Sequence, residues 1–348
     1  MDSSPILFQN DSGTTVLLDL PRSIEEAQLP SHDHDAAKTP KLKRLVSAPP
    51  PKCPFPTPEP KSTSDPHGYP SASAQVAEMM TLAAMESALD EIRMSPYAGP
   101  WCLPRHSRPP PASSHELRAP PVEDHDDPSQ YTIPPSSHPV HGSIASTRAT
   151  ILSTAPKFNL IVLDPPWPNR SAKRKRGGGS YRQADGLPAT RSLLSLIPVA
   201  SHLAADGLVA IWVTNAARFA DLLTAPRGGV FAEWQVELVG EWTWLKLAAN
   251  GEPIVSLHSA WRKPWERLLI ARRRGGGGGG LAKLLPERKV IVTVPDVHSR
   301  KPNLRCLFEE YLPPQYQALE VFARSLTAGW WSWGDQVLLF QHRDHWID

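Results

Sequence analysis

The sequence has only three cysteines among its 348 residues, and Cys53, Cys102 and Cys306 are far apart. This spacing matches neither a disulfide framework nor the paired cysteines of a zinc site. The chain also lacks an apolar run of about 20 residues, the length needed to span a bilayer. Residues 1–10 lack the basic start and apolar core of a secretory signal. We therefore expect a soluble, intracellular protein with no membrane partner.

The chain also lacks a large excess of charge of either sign, because its formal net charge is only +2. Binding to a polyanion would then depend on local basic segments rather than on the field of the whole protein. Tryptophan is nearly absent from the first 150 residues, which hold one of the 12, whereas they hold 25 of the 39 prolines. The first part therefore cannot bury much core, and the second part can.

These shifts in composition divide the chain into five segments. The predicted segments are a β-hairpin (1–30), a disordered Pro-rich linker (31–72), a helix that packs on the core (73–95), a second Pro-rich linker (96–149) and the main domain (150–348). In the helix, apolar residues recur at helical spacing: Val76, Met79, Met80, Leu82, Ala83, Met85 and Leu89. We interpret this stripe as a packing face, with a groove for a partner as the alternative.

From about residue 150, predicted strands alternate with predicted helices. The apolar runs that predict strands are 158–163, 208–213, 236–242, 267–271, 289–294, 318–322 and 337–341. Helices are predicted near 189–204, 215–224 and 303–312. This alternation favours the α/β class, with a mostly parallel sheet that is covered on both faces.

The first of these strands ends in the sequence Asp164, Pro165, Pro166 and Trp167. Ligands of α/β enzymes bind at the carboxyl ends of parallel strands, so a rigid acid there predicts a site. An enzyme that alkylates the 6-amino group of adenine needs acceptors for the amino protons, and a carboxylate with a neighbouring carbonyl supplies them. An adjacent aromatic ring can stack on the base. The alternative is an ordinary strand end followed by a turn.

Seven separated motifs resolve this alternative: DPPW, VAIWVTN, EWTWLK, KPWERLLIAR, VHSRKPNL, ALEVFAR and GWWSWGDQVLLF. In this order they resemble the MT-A-seventy family of N(6)-adenine methyltransferases, and most closely its methyltransferase-like protein four branch. The resemblance covers roughly residues 150–345. It implies a Rossmann-like, circularly permuted class I methyltransferase fold, in which the catalytic loop precedes the cofactor-binding motifs.

The resemblance also implies roles for individual residues. Asp164 is expected to contact the target amine and S-adenosyl-L-methionine, and Lys301 to hold the methionine carboxylate of that cofactor. The other residues expected at the cofactor are Arg324, Ser325, Leu326, Asp335 and Gln336. Glu320 resembles a buried acid that orders this loop. Two positions depart from the family pattern, since Arg300 replaces a histidine and Asp335 an asparagine.

The implied activity is methyl transfer to the 6-amino group of adenine in nucleic acid. RNA is the favoured substrate, including a 2′-O-methylated adenosine of small nuclear RNA. The alternatives are a DNA N(6)-adenine methyltransferase and a non-catalytic nucleic-acid-binding subunit. The intact DPPW sequence argues against a catalytically inactive subunit, and we expect a monomer rather than an obligate heterodimer.

Two glycine-rich basic segments and two acidic ones complete the prediction. Phosphate contact is predicted for the loop after DPPW, through Lys173, Arg174, Lys175 and Arg176. Tyr181 in the same loop could stack on a base, with an ordinary surface tyrosine as the alternative. The same loop could serve as a nuclear address, so we expect a nuclear protein that is also present in the cytoplasm. Residues 272–280 (RRRGGGGGG) are interpreted as a surface insertion. The acidic segments 31–35 and 123–127 are interpreted as solvated charge, and no metal site is predicted.

Overall fold

The computed structural model describes residues 4–30, 42–56, 72–107, 128–168, 186–259, 262–275 and 285–347. The strands in these ranges are β1 (Ile6–Gln9), β2 (Thr15–Leu18), β3 (Arg44–Leu45), β4 (His138–His141), β5 (Phe158–Leu163), β6 (Leu203–Val213), β7 (Val236–Lys246), β8 (Trp265–Arg273), β9 (Arg288–Thr293), β10 (Ala318–Val321), β11 (Trp331–Gly334) and β12 (Trp346–Ile347). The α-helices are α1 (Leu20–Glu26), α2 (Ala72–Met94), α3 (Ile144–Thr154), α4 (Leu187–Ser195), α5 (Val199–His202), α6 (Ala217–Thr224), α7 (Val230–Glu233) and α8 (Arg305–Phe308).

Ten strands form one sheet in the order β1-β2-β9-β7-β8-β6-β5-β10-β11-β4. Six of the nine neighbouring pairs are parallel, which confirms the predicted α/β class with a mostly parallel sheet. β8 runs antiparallel to both of its neighbours, β7 and β6. Because of this reversal, the first residues of β8 lie at the same edge of the sheet as the last residues of β6 and β7.

The sheet is buried on both faces. Along β5, Phe158, Ile161 and Leu163 pack in a core with helices α3, α4, α6 and α7, whereas Leu160 and Val162 pack on the other side with α1 and α8. A strand that is covered on both faces needs a nearly continuous apolar sequence, and the stretch FNLIVL supplies one, with the half-buried Asn159 as its single polar residue. The observed bounds of β5 are those predicted.

The prediction of a last strand at 337–341 is wrong. These residues form successive turns, in which Leu339 N–H donates to the carbonyl of Gln336 and Gln341 N–H donates to that of Leu338. Val337 and Phe340 are apolar because they are buried in this irregular segment. The sheet is instead extended by β11 and β4, so residues 138–149 belong to the main domain rather than to the linker predicted over 96–149.

Helix α2 differs between its two halves. Met85 and Leu89 are buried against the sheet, together with Ala88 and Ile92, as the predicted packing face requires. In the amino-terminal half the prediction is wrong, since Val76, Met79 and Met80 are 55%, 67% and 47% exposed. Val76 and Met80 line a groove of about 690 Å³ between the helix and the sheet.

The amino-terminal hairpin is part of the large sheet. β1 and β2 pair antiparallel, and β2 continues the sheet by pairing parallel to β9. Helix α1 follows directly, begins after the N-cap Asp19, and lies over the same face of the sheet as α8. A helix long and apolar enough to cross a membrane does not occur in the described ranges.

Candidate active site

The loops that follow β5, β9 and β10 meet at the carboxyl edge of the sheet. β5 and β10 are parallel neighbours with Leu163 opposite Val321, which places Asp164 beside the loop that carries Arg324. Lys301 lies in the loop after β9. Since β8 is reversed, Glu266 near its start reaches the same edge as Lys246 at the end of β7. The topology therefore brings together charged residues that are far apart in the sequence.

These five residues form a connected group of ion pairs, here called the site cluster (Asp164, Lys246, Glu266, Lys301 and Arg324). The Asp164 carboxylate lies 3.5 Å from Lys301 Nζ and 3.7 Å from an Nη of Arg324. Glu266 accepts from Lys301 Nζ and from Lys246 Nζ, each at 2.5 Å. The five side chains are 16–23% exposed, so the cluster is shielded but open to solvent.

Glu266 and Lys301 are held in their charged states by the neighbouring charges of the cluster. Burial alone would raise the pKa of Glu266, but the ammonium groups of Lys301 and Lys246 lower it to about 2. Burial likewise opposes the charge of Lys301, yet Asp164 and Glu266 raise its pKa above the usual value. The ammonium of Lys301 also lies 5.3 Å and 5.4 Å from the ring centroids of Trp212 and Trp244.

Glu320 in β10 is a further acid of this region, and its pKa is shifted in the opposite direction to that of Glu266. Burial raises its pKa to about 7, and the negative charge of Asp164 adds to this effect against the opposing influence of Arg324. Glu320 therefore titrates near neutral pH. It lines the same cleft as Asp164, and its predicted role as a buried acid beside the cofactor loop stays a prediction.

The DPPW loop is fixed mainly through its tryptophan. The carbonyl of Pro165 accepts from the backbone N–H of Trp167 at 2.8 Å, which leaves its second lone pair for another donor. The Trp167 indole N–H donates to the carbonyl of Trp212 at 2.7 Å, and its ring packs on Phe219. Trp167 is only 7% exposed, so the structure shows a packing element. Its role as a stacking wall for a base stays a prediction.

A cleft beside the site cluster is lined by four of the residues expected at the cofactor, namely Asp164, Lys301, Arg324 and Ser325. Apolar and aromatic side chains complete it: Ile24, Val162, Trp212, Leu304, Phe322, Trp330 and Phe340. Leu326 is fully buried and does not line the cleft. Neither do Asp335 and Gln336, which follow the end of β11, and the carbonyl of Asp335 lies 3.2 Å from a ring nitrogen of His141.

Two residues of the cleft have a left-handed backbone although neither is glycine. Ser299 has a φ of 73° and Phe322 a φ of 62°. Such conformations are uncommon for residues with a side chain and cluster at functional sites, where the surrounding structure enforces them. Here the carbonyl of Ser299 accepts from Arg324 at 2.9 Å, and Phe322 N–H donates to the carbonyl of Trp333 at 2.7 Å.

Arg300, which departs from the family pattern, belongs to a second group of ion pairs. Its guanidinium pairs with Asp296, which also lies 4.0 Å from Arg105, and we call these three residues the anchor cluster. Their side chains are 0–2% exposed. The Asp296 carboxylate accepts from the N–H of Ala48, and Arg300 donates to the carbonyl of Val46. Arg300 therefore attaches the 42–56 segment to the loop that carries Lys301.

The sequence prediction missed Lys246 and Glu266. Both lie in quoted motifs, at the end of EWTWLK and inside KPWERLLIAR, but neither spacing nor composition shows that these two strands are antiparallel. The pairing of Trp244 with Glu266 across β7 and β8 provides that information. The sequence signal for this ion pair was a lysine shortly after one predicted strand, Lys246, and an acid directly before the next, Glu266.

The loop residues that are predicted to contact the substrate lie outside the described residues: Lys173, Arg174, Lys175, Arg176 and Tyr181. The same holds for the acidic segments 31–35 and 123–127. In the described ranges, no group of three or more histidine, cysteine or acidic residues could hold a metal ion.

Comparison with known proteins places this arrangement in a family. The MT-A70 model matches residues 158–336, from the start of β5 to just beyond β11. A protein of Pyricularia oryzae named N6-methyladenosine RNA methyltransferase MTA1 is 48% identical over 98% of this chain and 96% of its own length. The protein of the same name from Cryphonectria parasitica is 50% identical over 100% of this chain and 95% of its own length.

A more distant relative is the N(6)-adenine-specific methyltransferase METTL4 of Mus musculus. It is 36% identical over 63% of this chain and 45% of its own length. The region that the family model matches, residues 158–336, contains all five residues of the site cluster. On the family match and on the near-complete coverage by the fungal relatives, the chain belongs to the MT-A70 family.

Proposed function

We propose that the protein methylates the 6-amino group of adenosine in RNA. The enzyme class follows from the family and the relatives: the protein is an S-adenosylmethionine-dependent N(6)-adenine methyltransferase that acts on nucleic acid. The choice of RNA is supported by the two fungal proteins that are about half identical over nearly the whole chain, since both are named as RNA methyltransferases. The observation that carries the proposal is Asp164 at the carboxyl edge, between Lys301 and Arg324.

The cleft fits the chemistry of S-adenosylmethionine. The amino-acid end of this cofactor carries one carboxylate and one ammonium group, so it needs a cation and an anion side by side. Lys301 and Arg324 supply the cations and Asp164 the anion. The Asp164 carboxylate lies 3.5 Å from Lys301 and 3.7 Å from Arg324. Aromatic side chains such as Trp330 and Phe340 supply an apolar wall. When bound, the cofactor supplies an electrophilic methyl group.

Residues of this chain would orient the target amine and accept hydrogen bonds from its N–H groups. The Asp164 carboxylate has acceptor positions beyond those that face Lys301 and Arg324, and the Pro165 carbonyl has a second lone pair. Two acceptors at fixed positions favour the pyramidal nitrogen that must form as the amine attacks. Lys301 and Arg324 hold the carboxylate in place through ion pairs, so little reorganisation is needed during the reaction.

The test is methyl transfer from labelled cofactor to matched oligonucleotides, followed by nucleoside analysis. Four substrates are compared. Two are an RNA and the DNA of the same sequence, and the other two are a small nuclear RNA sequence with and without 2′-O-methylation of the target adenosine. We expect N6-methyladenosine in RNA, and none with the Asp164→Ala variant. Product in DNA alone would contradict the RNA proposal, and product in none would contradict the activity itself.

The 2′-O-methylated substrate and the cellular location are the finer parts of this proposal. The first rests on the resemblance to the methyltransferase-like protein four branch, which the METTL4 relative supports. A nuclear location rests on the basic segment 172–176. Neutralising Lys173, Arg174, Lys175 and Arg176 separates an address from a phosphate contact, because only a contact flattens the salt dependence of RNA binding, by about 0.7 per lost contact.

A further inference from the structure

The backbone of Leu326 is held by two buried amide side chains from opposite ends of the chain. Gln28 Nε2 donates to the Leu326 carbonyl at 2.9 Å, and the Leu326 N–H donates to Gln341 Oε1 at 3.1 Å. The two amides also bond to each other, with Gln341 Nε2 donating to Gln28 Oε1 at 3.0 Å. Gln28 and Gln341, here called the amide clamp, are 7% and 0% exposed.

Each polar atom of the amide clamp has a partner. Gln28 Nε2 also donates to the carbonyl of Ile24 at 3.2 Å, and Gln341 Nε2 also donates to the carbonyl of Thr132. A buried network in which every group is bonded holds its geometry rigidly, whereas one missing partner leaves a costly unpaired group. Only an amide side chain can both donate and accept at these positions, since a carboxylate has no hydrogen to donate.

The clamped residue directly follows Arg324 and Ser325, which line the cleft. The side chain of Leu326 is itself fully buried beside Ala323 and Val337, so the segment is fixed by its backbone and by its packing. A further bond, from Ala328 N–H to the carbonyl of Ala27 at 2.8 Å, attaches the same segment to the end of α1. The position of Arg324 beside Asp164 therefore depends on residues 27 and 28.

Both members of the amide clamp lie outside residues 158–336, the part matched by the family model. We propose that Gln28 and Gln341 are positioning residues that set the affinity of the cleft for S-adenosylmethionine by holding the Arg324–Leu326 segment in register with Asp164. This inference rests on the proposed function, because it assigns the cleft to that cofactor. It extends the site to both ends of the chain.

The test compares Gln28→Met, which keeps the length of the side chain but removes its hydrogen bonds, with the wild type. Calorimetry with S-adenosylhomocysteine and steady-state kinetics on RNA supply the readouts. We expect a loss of affinity of about tenfold and a matching rise in the cofactor KM, with the RNA KM within twofold. The double variant with Gln341→Met should lose no more than about the single variant, because the two side chains act as one unit.

Asn10→Ala is the matched control. Asn10 is also an amide in the amino-terminal segment, and it bonds the N–H of Thr15 and a carboxylate oxygen of Glu91, with no bond to the cleft loops. It should lower thermal stability without changing cofactor affinity. Should Gln28→Met not fold, Gln28→Asn takes its place, since it retains an amide but withdraws it from Leu326.

The outcomes separate the two proposals. Wild-type protein that neither binds S-adenosylhomocysteine nor methylates RNA overturns the proposed function and this inference with it. Wild-type binding and activity, combined with unchanged cofactor affinity in the Gln28 variant, overturn the positioning role alone. A variant that loses stability as Asn10→Ala does, but binds cofactor as the wild type does, would assign the clamp a purely structural role.

Discussion

The site cluster and the anchor cluster use the same kinds of side chain and share the loop after β9, yet their surroundings differ. Lys301 of the site cluster and Arg300 of the anchor cluster are consecutive residues. The side chains of the site cluster are 16–23% exposed, and Asp164, Lys301 and Arg324 line the cleft. Those of the anchor cluster are 0–2% exposed and bond to backbone groups, although Arg300 also borders the cleft. Solvent access, rather than charge, therefore separates ion pairs that can exchange partners with a ligand from those that fix the chain.

The largest expected effect is on stability, from Asp296→Ala. Removing the only acid of the anchor cluster deprives the buried guanidinium groups of Arg105 and Arg300 of the carboxylate that they share. Breaking a buried pair in this way costs roughly 3–5 kcal/mol of unfolding free energy. Urea denaturation measures the change. A loss below 1 kcal/mol would contradict the assignment of this cluster as an anchor and remove the contrast with the site cluster.

Asp164→Ala tests the other side of the comparison. We expect methyl transfer to fall by about 100-fold or more, because an acceptor needed in the transition state is lost. Stability should change by less than about 1 kcal/mol, since Lys301 keeps its pair with Glu266 and Arg324 keeps its hydrogen bond to the Ser299 carbonyl. Single-turnover kinetics and the same denaturation experiment provide both values. Activity within a few-fold of the wild type would rule out Asp164 as a catalytic residue.

Lys301→Met should weaken cofactor binding by about 30-fold, because a carboxylate in the cleft loses its cationic partner, at a cost of about 2 kcal/mol. Lys246→Met is the matched control, since it removes the other lysine bound to Glu266 but does not line the cleft. Calorimetry with S-adenosylhomocysteine compares the two variants. Equal affinities for both would show that Lys301 serves only to pair with Glu266.

The smallest expected effect is the pH dependence contributed by Glu320. Its pKa is about 7 in the folded protein against an ordinary value near 4.5, so between these values the folded state holds a proton that the unfolded state lacks. Stability therefore falls as pH rises through this window, by at most about 1.4 kcal/mol per pH unit. Glu320→Gln mimics the protonated form and should flatten the curve. An unchanged slope in the variant would show that Glu320 is not the responsible group.

The sequence predicted those parts of the fold that depend on regular patterns. β5 was predicted with its observed bounds because both of its faces are buried and its sequence is apolar except for Asn159. β4 and β11 were missed because their sequences, HPVH and WSWG, contain proline or glycine and few aliphatic residues. The VLLF run is apolar for a different reason, since its side chains fill a buried irregular segment.

For the site, motif matching identified the residues at strand ends but not the contacts between them. Asp164, Lys301 and Arg324 were named, and the structure brings them within ion-pair distance. Glu266 escaped prediction because its position depends on the antiparallel pairing of β8. Gln28 and Gln341 escaped because 313 residues separate the two members of their hydrogen bond.

The reversal of β8 also has a consequence for protein engineering. Since the strand starts at the catalytic edge and ends with Arg273 at the opposite edge, the glycine tract that begins at Gly275 is attached far from the cleft. Added or deleted glycines there change the length of the chain without displacing Glu266. A fluorophore or an affinity tag inserted in this tract can therefore report on the enzyme while it works.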